Sequence, residues 1–228
     1  MMQPSESARE QRTDTVVFLG PSLDLGAARQ RLAADFRPPI RRGDLPRAAQ
    51  QGARRVAIID GEFGQALSVS ILEVRAALRS GVEVWGASSM GALRAAECWP
   101  IGMLGVGWVY EQYRSGAIQA DDEVALIFDA STGAARTTPL VNMRWSAQQA
   151  SDAGVLCAAD AAEILGFAAT LRYEQRSYRC LQRLAPAQLQ PAIAALLGWV
   201  SSHPERADRK GLDADELLRR LAGTPEAS

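Results

Sequence analysis

The stretch VWGASSMGALRAAE, Val84–Glu97, decides how the chain folds. An apolar run stops at Gly86, the small residues Ala87, Ser88 and Ser89 follow, and after Met90 and Gly91 come strong helix formers. A buried strand that turns into a helix across two hydroxyls and a glycine is the pattern to extend along the chain.

Upstream the same alternation repeats. SVSILEVRAALRSG (Ser68–Gly81) carries apolar residues at Ile71, Val74 and Leu78, a helical spacing closed by Gly81. RRVAIIDGEF (Arg54–Phe63) and DTVVFLG (Asp14–Gly20) are short β-branched runs that end at small or acidic residues, as buried strands do. SLDLGAARQRLAADF (Ser22–Phe36) has helical spacing, with Ser22 or Asp24 as its cap, and RPPIRRGDLP (Arg37–Pro46) reads as a proline-bounded connector with a short strand at Ile40. Strands alternating with helices predict an α/β fold: a mostly parallel sheet flanked by helices, a Rossmann- or flavodoxin-like three-layer core.

Downstream, GMLGVGWVYEQYRSGAIQADDEVALIFD (Gly102–Asp129) holds an aromatic helix and a further strand-like run, and Ala-rich helical segments continue from Ser151. The expected organisation is a disordered polar tail over 1–13, an α/β core over 14–145 and a helical C-terminal extension over 146–228 packed on that core.

With 228 residues, 47% of them hydrophobic, the chain can bury a sizeable core. Its net charge of −1 gives no global field for nucleic acid or acidic membranes. No apolar run is long enough to span a bilayer and the N-terminal stretch has no signal-peptide apolar region, so the cytoplasm is the expected location. Cys98, Cys157 and Cys180 fit neither a disulfide framework nor a zinc site. His203 is the one histidine and Lys210 the one lysine, which excludes multi-histidine metal sites and any mechanism needing two imidazoles.

In parallel sheets ligands bind beyond the carboxyl ends of the strands. Three such ends are Gly20-Pro21-Ser22, Asp60-Gly61-Glu62-Phe63 and the Gly86–Gly91 turn. A serine on a sharp strand-to-helix turn, with helix N–H groups beside it, is the arrangement of a nucleophile elbow. The same serine is equally a common helix cap, in which case the small residues serve close packing. As the activating group, Asp60 or Glu62 on the neighbouring rim is better placed than Glu97, which lies about 12 Å along the helix from Ser89 and suits an ion pair with Arg94. Asp121-Asp122-Glu123 offers oxygens for a hard cation, but a single acidic run does not make oxygens converge, so no metal is expected. No phosphate-binding glycine loop is present and no cofactor is expected.

FLGPS (Phe18–Ser22), DGEF (Asp60–Phe63), GASSMGALRAAE (Gly86–Glu97), GMLGVGWVYEQYRSG (Gly102–Gly116), DDEVAL (Asp121–Leu126) and PLVNMR (Pro139–Arg144) occur in this order. Together they resemble the TfuA-like proteins from about Val16 to Arg144. The resemblance implies a partner of a YcaO-type cyclodehydratase in peptide backbone thioamidation. Its implied role is to release sulfide by hydrolysing a thiocarboxylated, ubiquitin-like sulfur carrier and to help YcaO engage its precursor peptide. On that basis Ser89, Asp60 and Ser88 are the catalytic candidates. Gly20, Pro21, Ser22, Gly61, Gly86, Gly91, Arg94, Glu97, Asp122, Asn142 and Arg144 are the substrate- or anion-binding candidates. One departure lies in the helix after the acidic loop, which here reads SILEV, with Glu73 but without the basic pair that relatives carry. Two other roles stay open: a non-catalytic adaptor that docks YcaO and peptide through the aromatic segment Trp108–Tyr113 and the helical C-terminal part, and a generic serine esterase.

Overall fold

The computed structural model describes residues 13–64, 66–129 and 134–223. The tail expected over 1–13 therefore lies, apart from Thr13, outside the described residues.

Five strands form one all-parallel sheet: β1 (Thr15–Phe18), β2 (Asp35–Arg37), β3 (Arg55–Ile58), β4 (Glu83–Ala87) and β5 (Leu104–Val106), in the order β2-β1-β3-β4-β5. Between them run α1 (Leu25–Arg31), α2 (Asp44–Gln50), α3 (Ile71–Arg79) and α4 (Met90–Cys98), and α5 (Trp108–Ser115) follows β5. The order reverses between β1 and β3, which makes their carboxyl ends the switch point where such sheets take ligands.

Both faces of the sheet are covered, so β1 and β3 are buried along their whole length, and after Thr15 and Arg55 they read as continuous apolar runs and not alternating ones. Val16, Phe18, Val56, Ile58 and Val84 pack against α2 to α5. Val17, Leu19, Ala57, Ile59, Ala87 and Val106 pack against Ala28 of α1 and against Ala214, Leu217, Leu218 and Leu221 of α11 (Arg209–Gly223). The last described helix thus completes the third layer. Between core and α11 lie α6 (Leu140–Asp152), α7 (Ala158–Thr170), α8 (Tyr178–Leu184), α9 (Gln190–Ser202) and α10 (Pro204–Ala207), which share a separate apolar cluster around Ile164, Ile193, Leu196 and Trp199. No helix among the described residues is long and apolar enough to cross a membrane.

Local chemistry explains most boundaries. Asp24 caps α1 by accepting from the Ala27 N–H at 2.9 Å. Ser70 and Glu73 form a reciprocal capping box on α3, and the Glu73 carboxylate also accepts from the Gly43 N–H, so this glutamate ties α3 to the start of α2. β2 lies at Asp35–Arg37, ahead of Ile40, which forms a single bridge with Gly61. Among the described residues, the strand-like run after Glu123 contributes only the bridge Phe128–Ala135.

α11 is fastened by Asp213, which is fully buried and accepts from the Trp108 and Val109 N–H groups at 2.9 and 2.8 Å and from Arg209 Nε at 2.7 Å. A carboxylate from α11 thereby caps α5, and Gly107 must lack a side chain because a Cβ there would sit 2.3 Å from Asp213 Cγ. Asp213→Ala is expected to lower stability by about 2 kcal/mol in urea denaturation, because it strands two helix N–H groups in a dry interface.

Candidate functional site

The Val84–Glu97 stretch folds as β4, a tight turn and α4. The Ser89 N–H donates to the Ala87 carbonyl at 2.8 Å across Ser88, whose φ of 68° is the one positive value outside glycine among the described residues. This is a γ-turn of the strained hand, a conformation that costs a residue with a Cβ about 1 kcal/mol or more. The turn can pack this tightly because Gly86 and Gly91 touch: a Cβ on Gly91 would fall 1.7 Å from the Ile58 carbonyl oxygen, and one on Gly86 would fall 2.1 Å from the Gly91 oxygen.

Ser89 stands at the N-cap position of α4 with φ −113° and ψ −124°, and its side chain makes no capping hydrogen bond. Backbone groups meet the need instead. The Ala92 and Leu93 N–H groups donate to the Ser89 carbonyl, and the Gly91 N–H donates to the Ile59 carbonyl at 3.3 Å. The Met90 N–H has no backbone acceptor among the described residues. The Ser89 hydroxyl is therefore not used as a cap, and Ser89 is among the residues that line a cleft of ≈ 230 Å³.

Beside Ser89 the cleft is lined by Pro21, Asp60, Gly61, Glu62, Tyr173, Lys210 and the apolar run Leu126–Phe128. Asp60 closes β3 at the switch point and is 3% exposed. Its Oδ2 accepts from the Gly20 N–H at 2.9 Å and the Ser22 N–H at 3.1 Å, and its Oδ1 accepts from Ser22 Oγ at 2.7 Å. The N–H groups that would cradle a phosphate at such a switch point are turned onto this carboxylate, and the first turn of α1 already holds the Asp24 carboxylate. The geometry does not suit a nucleotide phosphate.

Lys210 faces Asp60 from the first turn of α11. It is 2% exposed; its Nζ lies 4.0 Å from Asp60 Oδ1 and donates to the Val124 carbonyl at 3.1 Å. Burial pushes its proton affinity below that of an ordinary lysine, and the carboxylates of Asp60 and Asp208 partly offset this. Between the lowered folded value and the ordinary 10.5 the unfolded chain binds more protons than the folded one, so stability rises with pH across that window. The slope is at most about 1.4 kcal/mol per pH unit, and Lys210→Met is expected to remove it from denaturation curves taken at successive pH values below 10.5.

The remaining candidates act behind the cleft. The Asn142 side chain accepts from the Lys210 N–H at 3.0 Å and donates to Asp208 at 2.8 Å, which fixes the turn that presents Lys210. Arg144 makes a two-pronged ion pair with buried Glu123, at 2.9 Å and 2.7 Å, and Asp122 pairs at 2.7 Å with Arg176, which is fully buried. These clamps hold 121–123, the segment just before the Val124 carbonyl that receives Lys210. Asp121-Asp122-Glu123 is thus largely engaged by arginines, and no group of three or more metal-ligating side chains converges among the described residues. Arg94 and Glu97 pair with each other on α4 and lie outside the cleft, where burial raises the proton affinity of Glu97 and Arg94 opposes the rise. Gly61 is bare because a Cβ would meet Met90 Cγ at 2.8 Å, and Gly20 because one would meet Pro39 Cγ at 2.5 Å. Ser88 is fully buried, and its Oγ has no hydrogen-bond partner among the described residues. Val109, Tyr110 and Tyr113 are core residues.

The cleft residues that sequence reasoning missed include Lys210, Tyr173, Pro39, Val124 and the wall Leu126–Phe128. The available signal for Lys210 was compositional: a single lysine stands against 24 arginines.

A comparison with curated proteins finds no match to the chain. A comparison with family models matches TfuA-like protein over residues 60–177, which begins at Asp60, takes in Ser89 and the 121–123 clamp, and leaves Gly20–Ser22 and Lys210 outside. That match covers just over half of the chain and takes in the cleft segments from Asp60 to Tyr173, and on it the chain belongs to the TfuA-like protein family.

Proposed function

We propose that this protein serves YcaO-dependent thioamidation of a peptide backbone by hydrolysing the C-terminal thiocarboxylate of a ubiquitin-like sulfur carrier, releasing sulfide. The family setting supplies the process. One observation carries the chemistry: a serine whose hydroxyl is free of capping duty and a buried lysine are residues of the same small cleft.

The roles follow from what each group has left to give. Asp60 already accepts three hydrogen bonds and faces an ammonium, so it acts as counterion and not as base. A lysine whose proton affinity burial has lowered is a competent general base. Ser89 Oγ attacks the thiocarboxylate carbon as its proton passes to Lys210 Nζ. The Met90 N–H, next after the nucleophile, stabilises the oxyanion. The C–S bond breaks, and Lys210 returns the proton to the departing sulfide. Water, deprotonated by Lys210, then attacks the Ser89 ester; the C–Oγ bond breaks as Lys210 gives the proton to Ser89 Oγ, and the carrier acid leaves as its carboxylate and a proton, restoring the free enzyme. Balance requires only water, and no cofactor enters.

The test is sulfide release from a thiocarboxylated carrier, comparing wild type with Ser89→Ala and Asp60→Ala. Loss in a folded Ser89→Ala supports acyl transfer at the turn. An unchanged rate in Ser89→Ala removes Ser89 from the chemistry. If wild type releases no sulfide with its YcaO partner present, the adaptor role replaces hydrolysis, and hydrolysis of small activated esters without any partner would favour the esterase.

A further inference from the structure

Ser22 is 4% exposed, sits at the start of the loop after β1 and stands behind Asp60, outside the lining of the cleft. Its Oγ donates to Asp60 Oδ1 at 2.7 Å, the same oxygen that lies 4.0 Å from Lys210 Nζ. The Ser22 and Gly20 N–H groups hold the other oxygen. The carboxylate is thus gripped from the β1 side and kept one step short of direct contact with the ammonium. We infer that Ser22 is a positioning residue: its hydroxyl holds Asp60 back from Lys210 and so sets the pH at which the amine becomes a base. This rests on the role proposed for Lys210 above.

The direction of the effect is fixed by the geometry. Without the hydroxyl, Oδ1 loses a donor that draws off its charge and is free to close on Nζ. Both changes favour the protonated amine. The other groups facing Lys210 stay as they are. Asp208 precedes it on the chain, the uncharged Asn142 reaches it from α6, the Val124 carbonyl accepts from it, and Glu62 and Tyr173 share the cleft. Glu62 is paired with Arg41 at 2.7 Å, so it does not compete for the amine.

The lone lysine makes the test independent of activity. With lysine isotopically labelled in the full chain, Lys210 gives the single lysine side-chain NMR signal, and its titration midpoint is read directly. Ser22→Ala is expected to move that midpoint to higher pH, and Ser22→Thr, which keeps the hydroxyl, to restore it. The sulfide-release profile is expected to move with it. Each tenfold gain in the proton affinity of the amine lowers the rate on the acid limb of the profile about tenfold, while the plateau at high pH stays near that of wild type. An unmoved midpoint in folded Ser22→Ala overturns the inference. Should that variant not fold, Ser22→Cys, a weaker donor of similar size, must move the midpoint in the same direction or the inference fails. A raised NMR midpoint in a protein that releases no sulfide would uphold the positioning role and overturn the hydrolytic one.

Discussion

Ser89→Ala and Lys210→Met are expected to lose sulfide release to a common floor, about 10²–10⁴ below wild type, with the double variant falling no further. A nucleophile and its base act as one unit, so removing either removes the whole step. Independent contributions would instead multiply. Lys210→Arg sharpens the result. Arginine keeps the charge opposite Asp60 but cannot give up its proton in this range, so it preserves the ion pair and loses the base. A Lys210→Arg protein that stays folded and inactive identifies the neutral amine as the working form. One that keeps its rate makes Lys210 a fixed charge and returns the base to another group. The wild-type rate is expected to rise with pH as the amine loses its proton, because burial lowers its affinity without abolishing it.

Much of this was legible locally. The strands β1, β3 and β4 announce themselves as apolar runs stopped by Gly20, Asp60 and Gly86, and their parallel pairing brings those stops to one rim. β5 was not legible, because Leu104–Val106 is only three residues long and Gly105 is present to admit the Tyr110 ring, which a Cβ there would strike at 2.1 Å. α2 was hidden by Pro46, which sits in its first turn, where a missing N–H costs nothing. Of the site, Asp60 and Ser89 stand at element ends where pattern reading looks. Lys210 is invisible to such reading because it reaches the cleft only when α11 closes the far side of the sheet. The contacts that secure that closure, from Asp213 of α11 to the first N–H groups of α5 and from Asn142 to the Lys210 N–H, join segments far apart in sequence. Asp122, Asn142 and Arg144 carry the family resemblance, and their side chains hold the backbone around the cleft instead of lining it.

Gly91→Ala is expected to destabilise the protein by more than about 3 kcal/mol, the upper part of the range for forced overpacking. For a chain of this size that corresponds to a fall in Tm of about 6–12 °C. The added Cβ would meet the Ile58 oxygen at 1.7 Å and its carbonyl carbon at 2.6 Å, and both atoms belong to β3, paired on one side with β1 and on the other with β4. No side chain can swing away, so α4 must lift from the sheet, opening the packing of Met90, Ala92 and Leu93. Gly166→Ala in α7 and Gly198→Ala in α9 are the controls. Both are exposed helical glycines with nothing within 4 Å of the added atom, and each is expected to gain up to about 1 kcal/mol from helix propensity. The same lift of α4 would carry Ser89 and the Met90 N–H away from Lys210. Gly91→Ala is therefore expected to lose sulfide release even at temperatures where it stays folded, whereas a glycine that served packing alone would leave the rate of the folded fraction unchanged.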